Sequence, residues 1–276
     1  MTFLESCPST NVYVGEKFRA DPTSWSTLDW VATADQTSGT GRLGREWVAP
    51  RGTSLALSVF FRVDEPGEIP SHAATWLSVL CALALTQTID ELASANGESG
   101  ATHSARLKWP NDVLLNGKKV AGILAQFHSV LLSPDQRIAS EGRETSGGVV
   151  VGIGTNISMT QEQLPVRTAT SLALEGITAG VDQVLEVFLG KIQENFQAFK
   201  STKFVPAAWL RDAVKLRLSS LGLDVRAELP NGQHVYGQCV DLDVDGALVI
   251  ESSDGHHHTI SAGDIIHLRR SDGAYS

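Results

Sequence analysis

Apolar positions along the chain follow two rhythms. Leu55-Ala56-Leu57-Ser58-Val59-Phe60-Phe61 and Val149-Val150-Val151-Gly152-Ile153-Gly154-Thr155-Asn156 are short, nearly continuous apolar runs, which predict strands buried in a sheet. Phe3-Leu4-Glu5-Ser6 and Trp30-Val31-Ala32-Thr33-Ala34-Asp35 read as two further strands. Residues 76–89 are apolar on all sides and predict a buried core helix, with Ser71 as its N-cap and its end near Asn96. Val184, Leu185, Phe188, Leu189, Ile192 and Phe196 recur at helical spacing and give the core stripe of an amphipathic helix. Pro206 is placed to open a further short helix through Trp209 and Leu210.

Asn116-Gly117 predicts a type I′ hairpin turn, with Lys118 to Phe127 as the returning strand. Strict alternation along it puts Lys119, Ala121, Ile123 and Ala125 on one face and Val120, Gly122 and Leu124 on the other. Residues 132–148 are polar, glycine-rich and without period, so a connection is expected there. From Leu216 onward short strands alternate with the turns Pro230-Asn231-Gly232, Asp245-Gly246 and Asp254-Gly255, the pattern of a small antiparallel barrel or sandwich. Two domains follow, residues 1–215 and 216–276.

Composition narrows the classes. The 276 residues are 42% hydrophobic and 19% charged, enough for a sizeable core. A formal net charge of −9 argues against a general nucleic-acid binder, so any basic site is local. Cys7, Cys81 and Cys239 are odd in number and unpaired by spacing, which indicates neither a disulfide framework nor zinc and suits a reducing cytoplasm. The N-terminus lacks a signal-peptide plan, and the apolar helix is too short for a bilayer, so no membrane partner is expected. His256-His257-His258 lacks the companions of a four-ligand zinc set and reads as a solvated strand.

Candidate chemistry concentrates in Asp35-Gln36-Thr37-Ser38-Gly39-Thr40-Gly41-Arg42-Leu43-Gly44-Arg45-Glu46-Trp47. Its glycines allow close backbone approach, and Arg42 and Arg45 offer fork-shaped donors that suit phosphate or carboxylate. Residues 39–44 match the dinucleotide fingerprint as a string, and Asp64 follows at about the expected distance. The context rejects that reading, because Pro50-Arg51-Gly52 and then a strand stand where the fingerprint needs a helix. A Walker A motif fails for want of Gly-Lys-Ser/Thr. A surface turn with solvated arginines and a local anion site both remain. Ser9-Thr10-Asn11 reads as a helix cap or as a set of ligand-reading groups. Lys119 is an edge-strand charge or a cation turned toward a ligand, Gly122 marks a bulge or a close approach, and Asn156 ends its strand in a turn or a ligand floor.

Taken in order, Ser9-Thr10-Asn11, Gln36-x-x-Gly39-x-Gly41-Arg42-x-Gly44-Arg45-x-Trp47, Lys108-Trp109-Pro110-Asn111-Asp112, Lys119-x-Ala121-Gly122-Ile123-Leu124 and Gly152-x-Gly154-x-Asn156 resemble the biotin protein ligases. The segment with Asp245-Gly246-Ala247-Leu248 and Gly263-Asp264-Ile265 is similar to their C-terminal barrel. The resemblance implies an α+β fold, with a class II aminoacyl-tRNA-synthetase-like (biotin/lipoate ligase) catalytic domain followed by a small SH3-like β-barrel. It implies activation of biotin by Mg2+-ATP to biotinyl-5′-AMP, then transfer to a lysine of a biotin carboxyl carrier domain of an acyl-CoA or pyruvate carboxylase.

Carried over by position, Arg42 and Lys119 would be catalytic, holding the carboxylate and the α-phosphate. Ser9, Thr10, Asn11, Gln36, Gly39, Thr40, Gly41, Gly122, Leu124, Gly152 and Thr155 would join them around biotin. Arg45, Trp47, Lys108, Asn111, Asn156, Asp264 and Arg269 would serve the nucleotide, again with Arg42 and Lys119, and Asp112 would contact the metal. The Gly-Arg loop is expected to be disordered without ligand and to close over the adenylate.

Thr40 stands where the family often has arginine, Thr155 where isoleucine is common, and Gln126 where glutamate often follows. Longer family members begin with a winged helix-turn-helix, which this sequence lacks, so no DNA binding is expected, and a monomer or weak homodimer is anticipated. The alternatives are a lipoate ligase or acyltransferase of the same superfamily and a non-catalytic binder of biotin or nucleotide.

Overall fold

The structure, a computed structural model, describes residues 1–63, 68–97, 104–140, 142–205, 208–261 and 264–267. Strand β1 (Thr2–Leu4) leads through helix α1 (Thr10–Ala20) to β2 (Trp30–Thr33), and a short ribbon of β3 (Gly39–Thr40) and β4 (Glu46–Trp47) precedes β5 (Ser54–Val63). Helix α2 (Trp76–Ala95) follows, then β6 (Ala105–Lys108), β7 (Asp112–Leu115) and β8 (Lys118–Leu131). Helix α3 (Pro134–Ala139) links β8 to β9 (Thr145–Asn156), and helices α4 (Val181–Ser201) and α5 (Ala208–Arg217) close this part of the chain. The strands form a seven-stranded sheet in the order β1-β2-β5-β9-β8-β7-β6, antiparallel except for β1 and β2.

Burial on both sides explains the unbroken apolar runs. On one face Leu57, Val59, Phe61, Val151 and Ile153 join Leu80, Leu83, Phe188 and Phe196 of α2 and α4 in the main core. On the other, Phe60 and Val150 pack against Val14 and Phe18 of α1. By length and composition α2 could cross a membrane, yet 67% of its apolar window is buried in this core. Its start differs from expectation: Ser71–Ala73 form a separate 3-10 turn, and the α-helix begins at Trp76. Pro206 lies outside the described residues.

Two further differences concern β8. The segment 132–148 is not all connection, because the β8–β9 ladder runs out to Leu131 and Thr145. A hydrogen-bonded ladder continues through polar residues such as His128 and Ser146 with no apolar pattern to announce it. Between its ends Ser133 and Gln136 form a reciprocal capping box that starts α3.

Second, the alternation predicted for Lys119 fails. Leu114 pairs with Lys119 but Val113 pairs with Ala121, which leaves Val120 as the extra residue of a β-bulge. Val120 and Ala121 are both fully buried. One inserted residue reverses the facing of everything before it, so Lys119 turns to the side of Gly122: its Nζ is 3.2 Å from where a Cβ on Gly122 would be. The backbone of Lys119 is held in this position by bonds from its N–H to Thr168 O and from Thr170 N–H to its own carbonyl, both 2.8 Å.

The hairpin turn itself is as expected, with φ of 50° at Asn116 and 80° at Gly117, both positive as type I′ requires. Beyond α5, β10 (Asp224–Glu228), β11 (His234–Leu242), β12 (Leu248–Glu251), β13 (His257–Ile260) and β14 (Asp264–His267) make a five-stranded antiparallel sheet in the order β13-β12-β11-β10-β14. Val225, Cys239, Leu248 and Ile250 in this sheet join the main core.

Candidate functional site

A cavity of ≈ 580 Å³ opens on the α1 side of the large sheet, between the start of α1, the β3–β4 ribbon and the β7–β8 hairpin. One end is polar and tightly wired. Ser9 caps α1, accepting from Val12 N–H at 3.5 Å, so Thr10 and Asn11 occupy the first turn and are buried. Gln36 Oε1 accepts from Thr10 N–H at 2.9 Å, and the Thr10 hydroxyl is 3.3 Å from the same oxygen. Ser58 Oγ lies 2.8 Å from Thr10 Oγ1 and 2.6 Å from Asn11 Oδ1, and Asn11 Nδ2 donates to Leu124 O and Gln126 Oε1, each at 3.1 Å. Gly152 permits this arrangement, because a Cβ there would come within 2.3 Å of Asn11 Oδ1.

The opposite wall is cationic. Gly39 pairs with Trp47 and Thr40 with Glu46, so the glycine-arginine segment is an antiparallel ribbon rather than an open loop. Its tip turns at Leu43 and Gly44, with φ of 56° and 72°. Leu43 accepts this left-handed backbone while 79% exposed, which leaves its side chain free of the turn. Arg42 Nη1 donates to Asn111 Oδ1 at 3.2 Å, and Asn111 Nδ2 donates to Ile123 O at 2.9 Å. Lys119 Nζ stands 2.6 Å from Asp112 Oδ1. Thus Asn111, which ends the β6–β7 turn, and Asp112, which opens β7, each engage one cation. The indole of Trp47 lies over Gly154, where a Cβ would approach its Cε2 to 2.6 Å.

Of the residues singled out from sequence, Ser9, Thr10, Asn11, Gln36, Thr40, Gly41, Arg42, Lys119, Gly122, Leu124 and Gly152 line this cavity, as do Arg45, Trp47, Asn111, Asn156 and Asp112. Three do not. Gly39 is buried beneath the Gln36 side chain and the Trp47 backbone. Thr155 faces the main core, one strand position away from the cavity side, and is wholly buried with its hydroxyl unpartnered. Lys108 borders a separate small cleft behind the turn, with Trp109 and Pro110. The side chain of Asp264 and all of Arg269 lie outside the described residues. Sequence reasoning missed Ser58, Gln126 as a partner of Asn11, and Glu46. Ser58 had a signal: it is the one hydroxyl in the apolar run from Leu55 to Phe61.

Among the described residues no three His, Cys, Asp or Glu side chains group around a metal-sized space. His256, His257 and His258 each take a different neighbour: Asp254, Glu251 and Ser252. Among the described residues, Asp112 and Glu46 are the carboxylates of the cavity wall. That donor set is too sparse for a resident ion, and it fits Mg2+ arriving with a nucleotide, which takes one or two carboxylates and completes its shell with phosphate and water.

A glycine-floored cavity on a mixed sheet, with a polar end and a two-cation wall, is joined by a matching class assignment. Residues 3–132 match the biotin/lipoate A/B protein ligase family, and residues 220–268 match the biotin protein ligase C terminal domain. The chain is 34% identical over 236 residues to the biotin–[acetyl-CoA-carboxylase] ligase of Mycobacterium tuberculosis, covering 85% of this chain and 77% of that protein. With the bifunctional ligase/repressor BirA of Bacillus subtilis it shares 30% identity over 237 residues, which span 84% of this chain and 64% of the relative. The solved biotin protein ligase of Aquifex aeolicus, in complex with biotin and ATP, aligns over 98% of both chains at 25% identity with a TM-score of 0.67. This chain belongs to the biotin protein ligase family.

Proposed function

We propose that the protein is an ATP-dependent biotin protein ligase. The biotin carboxylate attacks the α-phosphorus of ATP, forming biotinyl-5′-AMP and releasing pyrophosphate. The ε-amine of a lysine on the carrier domain of a biotin-dependent carboxylase then attacks the acyl carbon, and AMP leaves. The observation that carries this reading is the convergence of Arg42 and Lys119 on one wall of a cavity whose far end is a fixed hydroxyl and amide network. Fixed cations stabilise charge that develops on the carboxylate and phosphate oxygens, and no covalent enzyme nucleophile is needed.

In this reading Thr10, Asn11 and Gln36 hold the ureido end of biotin, and Gly122 and Gly152 let its rings lie on backbone. Arg45, Trp47, Asn111 and Asn156 face the nucleotide. Lys108, off the cavity wall, would act on the nucleotide only through the turn it precedes. Mg2+ bound with ATP neutralises phosphate charge, and Asp112 is the residue that would hold it. Its Oδ1 already engages Lys119, and its second oxygen is the atom that would face the metal. Closure of the β3–β4 ribbon over the adenylate would exclude water. In this reading the reaction takes place in the cytoplasm, where carboxylase, ATP and biotin meet.

Pyrophosphate exchange into ATP with biotin or lipoate, followed by avidin detection of a carrier domain, tests the reading. Exchange with biotin and labelling of the carrier are expected. Exchange only with lipoate, or none, refutes it. Arg42→Ala or Lys119→Ala is expected to lower biotin-dependent exchange by roughly two to three orders of magnitude, the scale for loss of one transition-state donor.

A further inference from the structure

The turn that engages both cations is itself held from the second sheet. Trp109, 7% exposed, donates its indole N–H to Gly246 O at 3.1 Å, across 137 residues of sequence. Gly246 lies in a turn that is rigid in its own right: Asp243 N–H donates to Ala247 O at 2.9 Å, and Asp243 Oδ1 accepts from the N–H groups of Asp245 and Ala247, both at 2.8 Å. The same turn receives a second indole, Trp76 Nε1 on Val244 O at 2.8 Å. Trp76 belongs to α2 and makes no bond to the β6–β7 turn, so the two tryptophans divide the work between them.

We infer that Trp109 is a positioning residue: it transmits the fixed position of the 243–247 turn to Asn111 and Asp112, and through them to Arg42 and Lys119. Only Pro110 separates the indole anchor from Asn111, whose carbonyl also accepts from Ile123 N–H at 2.8 Å. The turn is therefore pinned at one end to the second sheet and at the other to β8. Val79, Val214 and Leu242 close the small cleft behind it, so it cannot retreat without opening packed surface. Release of the indole bond removes one of the two pins. The turn that carries Asn111 then shifts on its remaining bonds to Ile123, the Arg42 contact loosens, and one attachment of the β3–β4 ribbon weakens. This proposal deepens the ligase reading and rests on it for its kinetic arm.

The test compares Trp109→Phe with Trp76→Phe in the intact protein. Each removes one indole N–H to the same turn and keeps an aromatic ring. In Trp109→Phe, the turnover number of biotin-dependent exchange is expected to fall roughly tenfold, the effect of one lost hydrogen bond, with the biotin KM unchanged. Amide hydrogen exchange in residues 39–47 is expected to quicken. Trp76→Phe is expected to lower thermal stability while leaving both readouts as in the wild type. In an Asn111→Ala background, which already lacks the Arg42 contact, Trp109→Phe is expected to quicken the ribbon's amide exchange no further. Unchanged amide exchange of the ribbon in Trp109→Phe overturns the inference, and so does a Trp76→Phe protein whose ribbon loosens equally. The exchange of amides needs no catalysis, so it decides the positioning role even if the wild type activates no biotin.

Discussion

The two faces of β9 carry opposite designs on one backbone. Toward α2 and α4 it presents Val149, Val151 and Ile153, all within the main core. Toward α1 and the ribbon it presents Val150, then Gly152, Gly154 and Asn156, where missing side chains make room for Asn11 and Trp47. The first face is stabilised by filling space, because close packing gains dispersion contacts and removes apolar surface from water. The second leaves space next to fixed polar groups, which forgoes that stabilisation and creates a binding surface. Alternation along a strand allows both in adjacent residues.

If the division of labour holds, substitutions on the two faces separate stability from activity. The largest effect is expected on the filled face. Leu57, fully buried beside Ile153 in the ladder, should cost about 2–5 kcal/mol on change to Ala, from lost transfer energy and the cavity left behind. Urea denaturation measures that loss, and biotin-dependent exchange at low temperature should persist in the fraction still folded. A loss of biotin affinity that matched the loss of stability would erase the distinction.

Gly154→Ala probes the open face at the same strand. Its new Cβ would stand 2.6 Å from Trp47 Cε2, and the neighbour that yields is a peripheral ribbon rather than a core helix. Folding stability should change by less than about 1 kcal/mol, as for other substitutions away from packed cores. Turnover should fall roughly ten- to a hundredfold, because the displaced ribbon carries Arg42 away from the reacting groups. Trp47 fluorescence should shift as its ring leaves the glycine floor. Retained turnover with a shifted spectrum would show that closure by Trp47 is dispensable.

How legible was this in the sequence? The apolar runs and the Asn116-Gly117 turn gave the strands and hairpin because burial and positive φ leave direct marks on residue choice. The ordered glycine and arginine motifs marked most of the cavity wall for the same reason: a close approach demands glycine wherever the strand lies. The side on which Lys119 faces was not legible. A bulge at Val120 has no residue signature of its own, since valine fits either side of a sheet, and one unseen insertion reverses the facing of Lys119. The start of β9 inside the 132–148 segment, and the last residues of β8 just before it, were hidden because ladder bonds do not depend on side chains. Ser58 is a single hydroxyl in an apolar run, and its role shows only with Thr10 and Asn11 beside it. Thr155 was misplaced by treating a motif as a site when only alternate residues of a strand share a face.

The smallest expected effect sits where the two designs meet. His128 is on the α1 side of β8, past the glycine floor, and its ring fills the space beside Gly15, where a Cβ would come within 2.6 Å of His128 Cε1. Its Nδ1 lies 3.1 Å from Arg19 Nη1, a donor, so the neutral ring accepts there and carries its proton on Nε2, which is buried without a partner. Burial first, and the Arg19 charge second, hold its pKa below the ordinary 6.5. The sign follows from linkage. Above about pH 6.5 the ring is neutral whether folded or not, and its contribution to stability is fully present. As the pH falls, the unfolded chain takes up the proton first, so stability declines until the pH passes the lowered folded value. His128→Asn keeps an acceptor toward Arg19 and removes the titration. Urea midpoints of wild type and variant should therefore converge as the pH drops from about 7 to about 5. Parallel midpoints would mean that α1 yields enough to admit the protonated ring, and that the tight packing of His128 against Gly15 is a weaker constraint than the distances suggest.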